Sequence, residues 1–435
     1  MRKLLLLLLL LLCLLPAAVL AEVEADFTLL ETGFAYDITA DDEWIVLSWD
    51  GKHEDGRMVL HSPGGRFTGE VDMPHSGAGG KLVIEVEELT EKVVIRKEYK
   101  LPRSKAYKEP TGEGNATVRN LTLTETPVGF RYSFSAPGTD YQYLYFRSRQ
   151  ESAMMLIYPA NDEGFYEGEV ELPLTYARTL ITVQVVNGKG IMKREGTVRK
   201  GYEAPPAPEP GQGRLSGVVV CIDPGHQEDA IPTKEPKGPG IPGYTTGSNG
   251  MAQGRTTMRK EDIVCLEMGM MLRDLLISEG ATVVMTREVN SGFYSNLDRC
   301  RVAEESGAHI MLRLHCDTSA NRKKQGLSIY GPLNSEYAQA VCSKDEYRYL
   351  GTLLLNEMKK AGGYELTDKT GFVTLSDGFV GNNWAKMLCF LVEMGFMSNP
   401  EEDQKLASPE YQMILARGMV EGVYLIALER GWITE

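Results

Sequence analysis

The chain predicts an α/β domain with a mostly parallel, twisted sheet flanked by helices, preceded by two all-β sandwich-like repeat modules. Three observations carry that prediction. Strand-like and helix-like runs alternate from Gly217 onward, the pattern of a parallel α/β sheet. An internal repeat built from runs of period-two alternation fills the stretch before it, which argues for β modules. Proline-rich seams separate the blocks, a weak one at about 101–115 (LPRSKAYKEPTGEGN) and a strong one at 203–213 (EAPPAPEPGQG). Proline at that density makes a stiff, extended linker. At 435 residues the chain is also too long for one ordinary domain.

The N-terminal segment reads MRKLLLLLLLLLCLLPAAVLAE. A short basic start, an unbroken apolar run and the small-residue site Ala18-Val19-Leu20-Ala21 read as a signal peptide over 1–21. An uncleaved membrane anchor is the alternative. Cys13 lacks the preceding small residue that a lipoprotein site wants. No later stretch is long and apolar enough to span a bilayer, so no membrane span is expected after signal cleavage.

The repeat comes next. GRFTGEVDMP at 65–74 returns as GFYEGEVELP at 164–173, LLETGFAYDI as LTETPVGFRYSF, and RMVLHSP as MMLIYPA. The runs KLVIEVEE, EKVVIRKEY and TLITVQVV alternate apolar and polar residues between Gly, Pro, Asp and Asn punctuation. Sandwich-like modules are therefore expected over 22–102 and 115–202. His53, His61 and His75 have no counterpart in the second copy, which predicts surface residues rather than metal ligands.

From Gly217 the elements follow in order. GVVVCID is a short buried strand, MRKEDIVCLEMGMMLRDLLISEG a long amphipathic helix, and TVVMT a strand. NLDRCRVAEESG is helical, HIMLRLHCD a strand, and SEYAQAVCSKDEYRYLGTLLLNEMKKAG one helical stretch. MLCFLVEMG is a strand, and PEYQMILARGMVEGVYLIALERG the last long helix. The α/β domain is thus expected over 215–435. The loop 227–256 is long and rich in Gly, Pro and Thr, and a loop of that length beside a candidate site reads as functional.

Charge narrows the function. The formal net charge is −14, and removal of Arg2 and Lys3 with the signal leaves 44 basic against 60 acidic residues, near −16. Such a surface repels phosphates, which argues against nucleic acid as a partner. Six cysteines (Cys221, Cys265, Cys300, Cys316, Cys342 and Cys389) lie in the last half. Disulfides in an exported chain and buried free thiols explain them equally well. No CxxC pair is present, so a Cys-based metal site is not expected.

The residues with chemistry are His226 in CIDPGHQ, Glu261 in MRKEDIV, His315 in LRLHCD and Glu393 in FLVEMGF. Each lies at or beside the end of an apolar run or the start of a helical one, where an α/β fold presents side chains to a shared cleft. Two imidazoles and a carboxylate make a three-ligand zinc site with a position open to water, which leaves one glutamate as a general base. In Asp223-Pro224-Gly225-His226, proline and glycine turn the chain sharply at the strand end. Asp223 then either receives the second N–H of a histidine ligand or satisfies turn backbone. Taken alone, Glu261 is also explained by the helix dipole, worth about 0.3–1 kcal/mol, and His315 by a satisfied core position. Glu393 is different, because an ionised carboxylate inside an apolar run is costly without a partner. His309 begins the strand that His315 ends, at the far side from the site.

These residues resemble a known family. DPGH, the helix-opening Glu261, MTRE around Arg287, the strand-ending His315 and VEMGFMSNPEED are similar to zinc-dependent N-acetylmuramoyl-L-alanine amidases of bacterial cell walls. The resemblance covers about residues 215–432. GPGIPGYTTG and NNWAKM resemble the form found in clostridia-like Firmicutes. The resemblance implies His226, Glu261 and His315 as ligands of Zn2+, Glu393 as the catalytic carboxylate, and peptidoglycan as substrate. It implies a secreted, wall-associated enzyme cleaving the amide between N-acetylmuramic acid and L-alanine. DPGHQ departs from the more frequent DPGHGG, and Cys316-Asp317 from Ala-Asn or Ser-Asn, which puts substrate contacts in question. A catalytically silent wall-binding protein and a zinc peptidase acting on stem-peptide bonds are the alternatives. For the β modules, a cell-wall or other surface partner and a plain spacer role both stay open.

Overall fold

The computed structural model describes residues 23–434 apart from 42, 63, 89–93, 106, 108–113, 173, 176, 188–189, 231–233, 247–249 and 365–370. The expected signal peptide at 1–21 lies outside the described residues. Two compact units form. Among the described residues, one comprises 23–121, Ser133–Glu167 and Val183–Lys193; the other comprises Thr122–Tyr132, Gly168–Thr182 and 194–434. Among the described residues no helix is long and apolar enough to cross a membrane.

The repeated sequence forms repeated strands. The first copy supplies β1 (Glu24–Leu30), β2 (Gly33–Thr39), β3 (Trp44–Asp50), β4 (Glu54–His61), β5 (Arg66–Val71), β6 (Gly80–Glu88) and β7 (Val94–Leu101). The second supplies β8 (Arg119–Glu125), β9 (Gly129–Ser135), β10 (Gln142–Arg147), β11 (Glu151–Ile157), β12 (Phe165–Glu171), β13 (Thr179–Asn187) and β14 (Gly190–Val198). Three-stranded sheets run β1-β2-β5 and β12-β9-β8, the same order in each copy. The repeated Gly-Glu-Val has a packing cause. A Cβ on Gly69 would stand 2.5 Å from the Tyr36 hydroxyl, and one on Gly168 would stand 2.6 Å from that of Tyr132. Each tyrosine ring crosses the neighbouring strand where only glycine leaves room.

The remaining strands form one sheet, β14-β13-β10-β11-β4-β3-β6-β7. Its middle is the antiparallel pairing of β4 with β11, Glu54–Met58 against Glu151–Met155, so an edge from each repeat covers the other. That junction overturns the expectation that His53 and His75 are surface residues, since both are half-buried. His53 Nδ1 lies 3.3 Å from the Tyr143 hydroxyl. His75 lies 3.2 Å from the Tyr107 hydroxyl through Nδ1 and 3.0 Å from the Leu156 carbonyl through Nε2. The second copy supplies Tyr143 and Leu156, which explains why it needs no histidines of its own. The His61 side chain is outside the described residues.

The α/β sheet has six strands, introduced here with the elements around them. They are β15 (Val219–Pro224), the hairpin β16 (Lys234–Gly238) and β17 (Ile241–Thr246), α1 (Glu261–Ser278), β18 (Thr282–Met285), α2 (Asn296–Glu305) and β19 (Ile310–Asp317). Then come β20 (Leu327–Gly331), α3 (Glu336–Val341), α4 (Lys344–Gly362), β21 (Gly371–Leu375), α5 (Val380–Trp384), β22 (Leu388–Phe396), α6 (Pro400–Ala407) and α7 (Pro409–Glu429). The strand order is β18-β15-β19-β22-β20-β21. All neighbours are parallel except β20 with β22, which is antiparallel.

Alternation sorts the faces. Val220, Ile222, Ile310, Leu312, Leu388 and Phe390 join the core built with α1, α4 and α7. Cys221, Met311 and Cys389 point the other way, into a smaller cluster with Ala303 and Ala385. Strands β20, β21 and the β16–β17 hairpin are additions to the predicted elements; each is only five or six residues long. The predicted helix over 335–362 is two helices. Cys342 is extended, and the Ser343 side chain accepts from Glu346 N to start α4. The six cysteines among the described residues are free thiols, and all but Cys342 are buried.

In the first unit Glu54 is buried and accepts the His75 N–H at 2.8 Å. Burial, with Asp72 nearby, raises its pKa to about 7 against the His75 bond. The folded form therefore favours the protonated carboxyl, and stability falls as pH rises from about 4.5 through 7, by up to about 3 kcal/mol. Denaturant unfolding of the whole chain at pH 5 and pH 8 should show that loss, and Glu54→Gln should flatten it.

Candidate metal centre

His226, Glu261 and His315 come together. Their ligating atoms lie within 4.8 Å of one another. Glu261 is the first residue of α1, and its Oε1 sits 3.1 Å from His226 Nε2 and 3.0 Å from His315 Nδ1. Two backbone amides hold the carboxylate, Cys316 N to Oε1 at 3.0 Å and Ala252 N to Oε2 at 2.7 Å. Its position is thus set by far more than the helix dipole. Burial pushes the Glu261 pKa up, but the hydrogen bonds from both histidines outweigh it and hold the group ionised well below the usual range. Burial lowers the His315 pKa, which favours the neutral imidazole a metal ligand requires.

The His226 loop is built for close approach. A Cβ on Gly225 would stand 2.5 Å from both His315 Cε1 and the Leu314 carbonyl. Glycine therefore lets the two imidazoles meet edge to face, with ring centroids 4.8 Å apart. His226 itself has φ +56°, an uncommon conformation for a side-chain-bearing residue. Such strain persists only where the surroundings impose it, and buried arginines do so here. Arg299 donates to the Pro224 and His226 carbonyls, both at 2.7 Å. Arg287 donates to the Pro224 carbonyl at 2.9 Å and the Gly225 carbonyl at 2.8 Å.

Asp223 fills neither expected role. It receives Thr286 Oγ1 at 2.6 Å, Arg299 Nη1 at 2.5 Å and Arg313 Nε at 2.8 Å. Burial alone would raise its pKa, but the two guanidiniums and the hydroxyl hold it far below the carboxylate range. Arg299 and Arg313 were invisible in the sequence as site residues, because each lies one element away from the loop it fixes.

Glu393 is the ladder partner of His315 on β22 and of Ser328 on β20. Its Oε2 is buried with no hydrogen-bond partner, as is His315 Nε2. Burial and the charges of Glu261 and Asp317 push its pKa well up. Two imidazole nitrogens, a carboxylate oxygen and an adjacent orphaned carboxylate oxygen fit a divalent zinc site with a base beside it. His309 lies at the other end of β19, where its Nδ1 accepts Val219 N at 3.0 Å.

The NPEED segment acts as an anchor. Asn399 caps α6. Glu402 accepts Gly326 N and Phe396 N, each at 2.8 Å. Asp403 accepts Thr256 N at 2.6 Å and Thr257 N at 2.8 Å, which ties down the segment leading into Glu261. Asn383 and Trp384 hold the β16–β17 hairpin through the Lys237 carbonyl at 2.9 Å and the Pro236 carbonyl at 2.8 Å.

Residues 220–424 match the family model described as N-acetylmuramoyl-L-alanine amidase. That part of the chain is similar to this amidase family. The germination-specific N-acetylmuramoyl-L-alanine amidase of Bacillus subtilis (strain 168) is 26% identical over 232 residues, 50% of this chain and 83% of that protein. The amidase AmiA of Escherichia coli (strain K12) is 24% identical over 261 residues, 51% of this chain and 79% of that protein. Among solved structures, the N-acetylmuramoyl-L-alanine amidase of Clostridium difficile 630 aligns at 22% identity over 49% of this chain and 98% of that chain, with a TM-score of 0.38. Arg299→Met should leave Asp223 with only Arg313 and Thr286 and cost about 1–3 kcal/mol, read as a lowered thermal midpoint.

Proposed function

We propose that this chain is a peptidoglycan hydrolase that cleaves the amide bond between N-acetylmuramic acid and the L-alanine of the stem peptide. His226, Glu261 and His315 hold zinc, and Glu393 is the catalytic carboxylate. The observation that carries this reading is the convergence of the three ligating atoms within 4.8 Å beside the orphaned Glu393 oxygen, inside a segment matched to the amidase family. Named relatives support the substrate, among them a protein described as a probable cell wall amidase in Staphylococcus saprophyticus.

Zinc bound there would supply Lewis acidity and a water acidified toward roughly pKa 7. Glu393 accepts the proton from the attacking water and returns it to the leaving amine of alanine. Glu261, held by two backbone amides, keeps both imidazoles aimed at a common point. The Arg287 and Arg299 bonds keep His226 in its strained conformation, so no backbone rearrangement is needed on binding.

The signal-like N-terminus supports export, with the enzyme at the cell wall. The β repeats at 22–102 and 115–202 fit sandwich-like modules joined edge to edge, the Pro-rich linker 203–213 follows them, and the catalytic domain spans 215–435. The modules serve either a wall or surface partner or a spacer role.

Glu393→Gln should cut release of free amino groups from purified muropeptides by about 10²–10⁴-fold while zinc content by metal analysis stays unchanged. Full activity in that variant would overturn the assignment of Glu393. Treatment with a chelator should abolish release and added zinc should restore it. Mass spectrometry of the products separates this reading from a peptidase: muramic acid carrying a free lactyl carboxylate is expected, and cleavage within the stem peptide contradicts it. Zinc binding with no product at all would favour a silent wall-binding protein.

A further inference from the structure

The strand that closes the second repeat bonds a turn beside the metal centre through Glu195. The 194–434 stretch, which contains the second half of β14, belongs to the same compact unit as the α/β sheet. There Glu195 Oε2 accepts the backbone N–H of Asn290 at 2.5 Å and that of Ser291 at 3.2 Å. A carboxylate gripping two successive amides forms charge-assisted bonds, about twice as strong as neutral ones.

Asn290 is buried, and its other bonds go to the two segments that bear His226 and Glu261 and to Arg287. Its carbonyl accepts Glu228 N at 2.9 Å, two residues beyond His226. Its Nδ2 donates to Asp262 Oδ2 at 2.9 Å, next to Glu261. Its Oδ1 accepts Arg287 Nη1 at 3.2 Å, and the other terminal nitrogen of Arg287 donates to the Gly225 carbonyl at 2.8 Å. Asn290 is therefore the junction of the His226 loop and the start of α1, and Glu195 holds the backbone on which it stands.

The segment carrying Glu195 has other anchors. Leu180 packs with Leu266 and Met270 of α1, Arg178 pairs with Asp274, and the Tyr202 hydroxyl donates to Asp274 at 3.2 Å. Removing the Glu195 carboxylate leaves these in place, so the turn loses its clamp without losing the strand.

We propose that Glu195 is a positioning residue for the amidase reaction, clamping the Asn290–Ser291 turn and through Asn290 fixing both the His226 loop and the Glu261 helix start. This rests on the amidase reading of the centre. It makes β14 a working part of the catalytic unit.

The test compares the full chain with Glu195→Ala, Glu195→Gln and, on the same strand, Thr197→Val. Hydrogen exchange at the Asn290 and Glu228 amides is read beside steady-state kinetics on muropeptides. Glu195→Ala should speed exchange at both amides by about ten- to a hundredfold and lower kcat about tenfold with KM unchanged. Glu195→Gln, whose amide oxygen still accepts, should recover most of both. Thr197→Val should match the wild type. Wild-type exchange and wild-type kcat in Glu195→Ala would overturn the proposal, as would an equal loss of kcat in Thr197→Val. Failure of the amidase reading is distinguishable, because the wild type would then release no product while exchange at Asn290 still reports the clamp.

Discussion

The centre depends on a buried charge cluster around one turn. Asp223 is fully buried and meets two guanidiniums, Arg299 and Arg313. A buried ion pair is costly unless every remaining donor and acceptor is also satisfied. Here the surplus donors of Arg299 find the carbonyls of Pro224 and His226, and Arg287 adds bonds to those of Pro224 and Gly225. The same bonds that satisfy the charges therefore fix the turn, and the turn fixes His226. Remove Arg299 and Asp223 keeps only Arg313 and Thr286, while the ligand loop loses two of its carbonyl bonds.

The opposite side of the centre is held from the C-terminal end. Glu402 and Asp403 sit in the first turn of α6 and reach the strand ends and the segment before Glu261. The acidic run NPEED is thus structural in this chain: Glu402 and Asp403 satisfy backbone amides that would otherwise be buried without acceptors. Glu393 lies between the two anchors, on the strand next to His315, and is the one carboxylate with an oxygen left unsatisfied among these acidic groups. Contrast between neighbours explains their different tasks. Glu261 is held ionised by hydrogen bonds, whereas burial and like charges favour a proton on Glu393.

The β repeats follow another rule. Each copy leaves an edge strand, and an exposed edge is a template for unwanted pairing. Antiparallel pairing of β4 with β11 removes both edges at once. The pairing also buries groups that one copy alone would expose, which is why His53 and His75 find tyrosine and carbonyl partners contributed by the other copy.

Period-two and helical patterns made β15, β18, β19, β22 and the long helices readable from sequence, because local alternation reports which face is buried. The repeat and its glycines were equally plain. The short β20 and β21 were not, since five residues carry too little periodicity and β20 is held by its neighbour β22. The four chemical residues could be named from strand ends and helix starts. Their meeting could not. It depends on the register that sets His315 opposite Glu393, on Gly225 letting two rings approach, and on arginines distant in the chain. The sequence by itself determined the elements, the repeat and the candidate ligands, all of which rest on local pattern. Only the tertiary structure decided that Asp223 serves the arginines rather than a histidine, and that Glu195 reaches Asn290. Those are long-range pairings of buried polar groups, and no local pattern encodes which partner satisfies which.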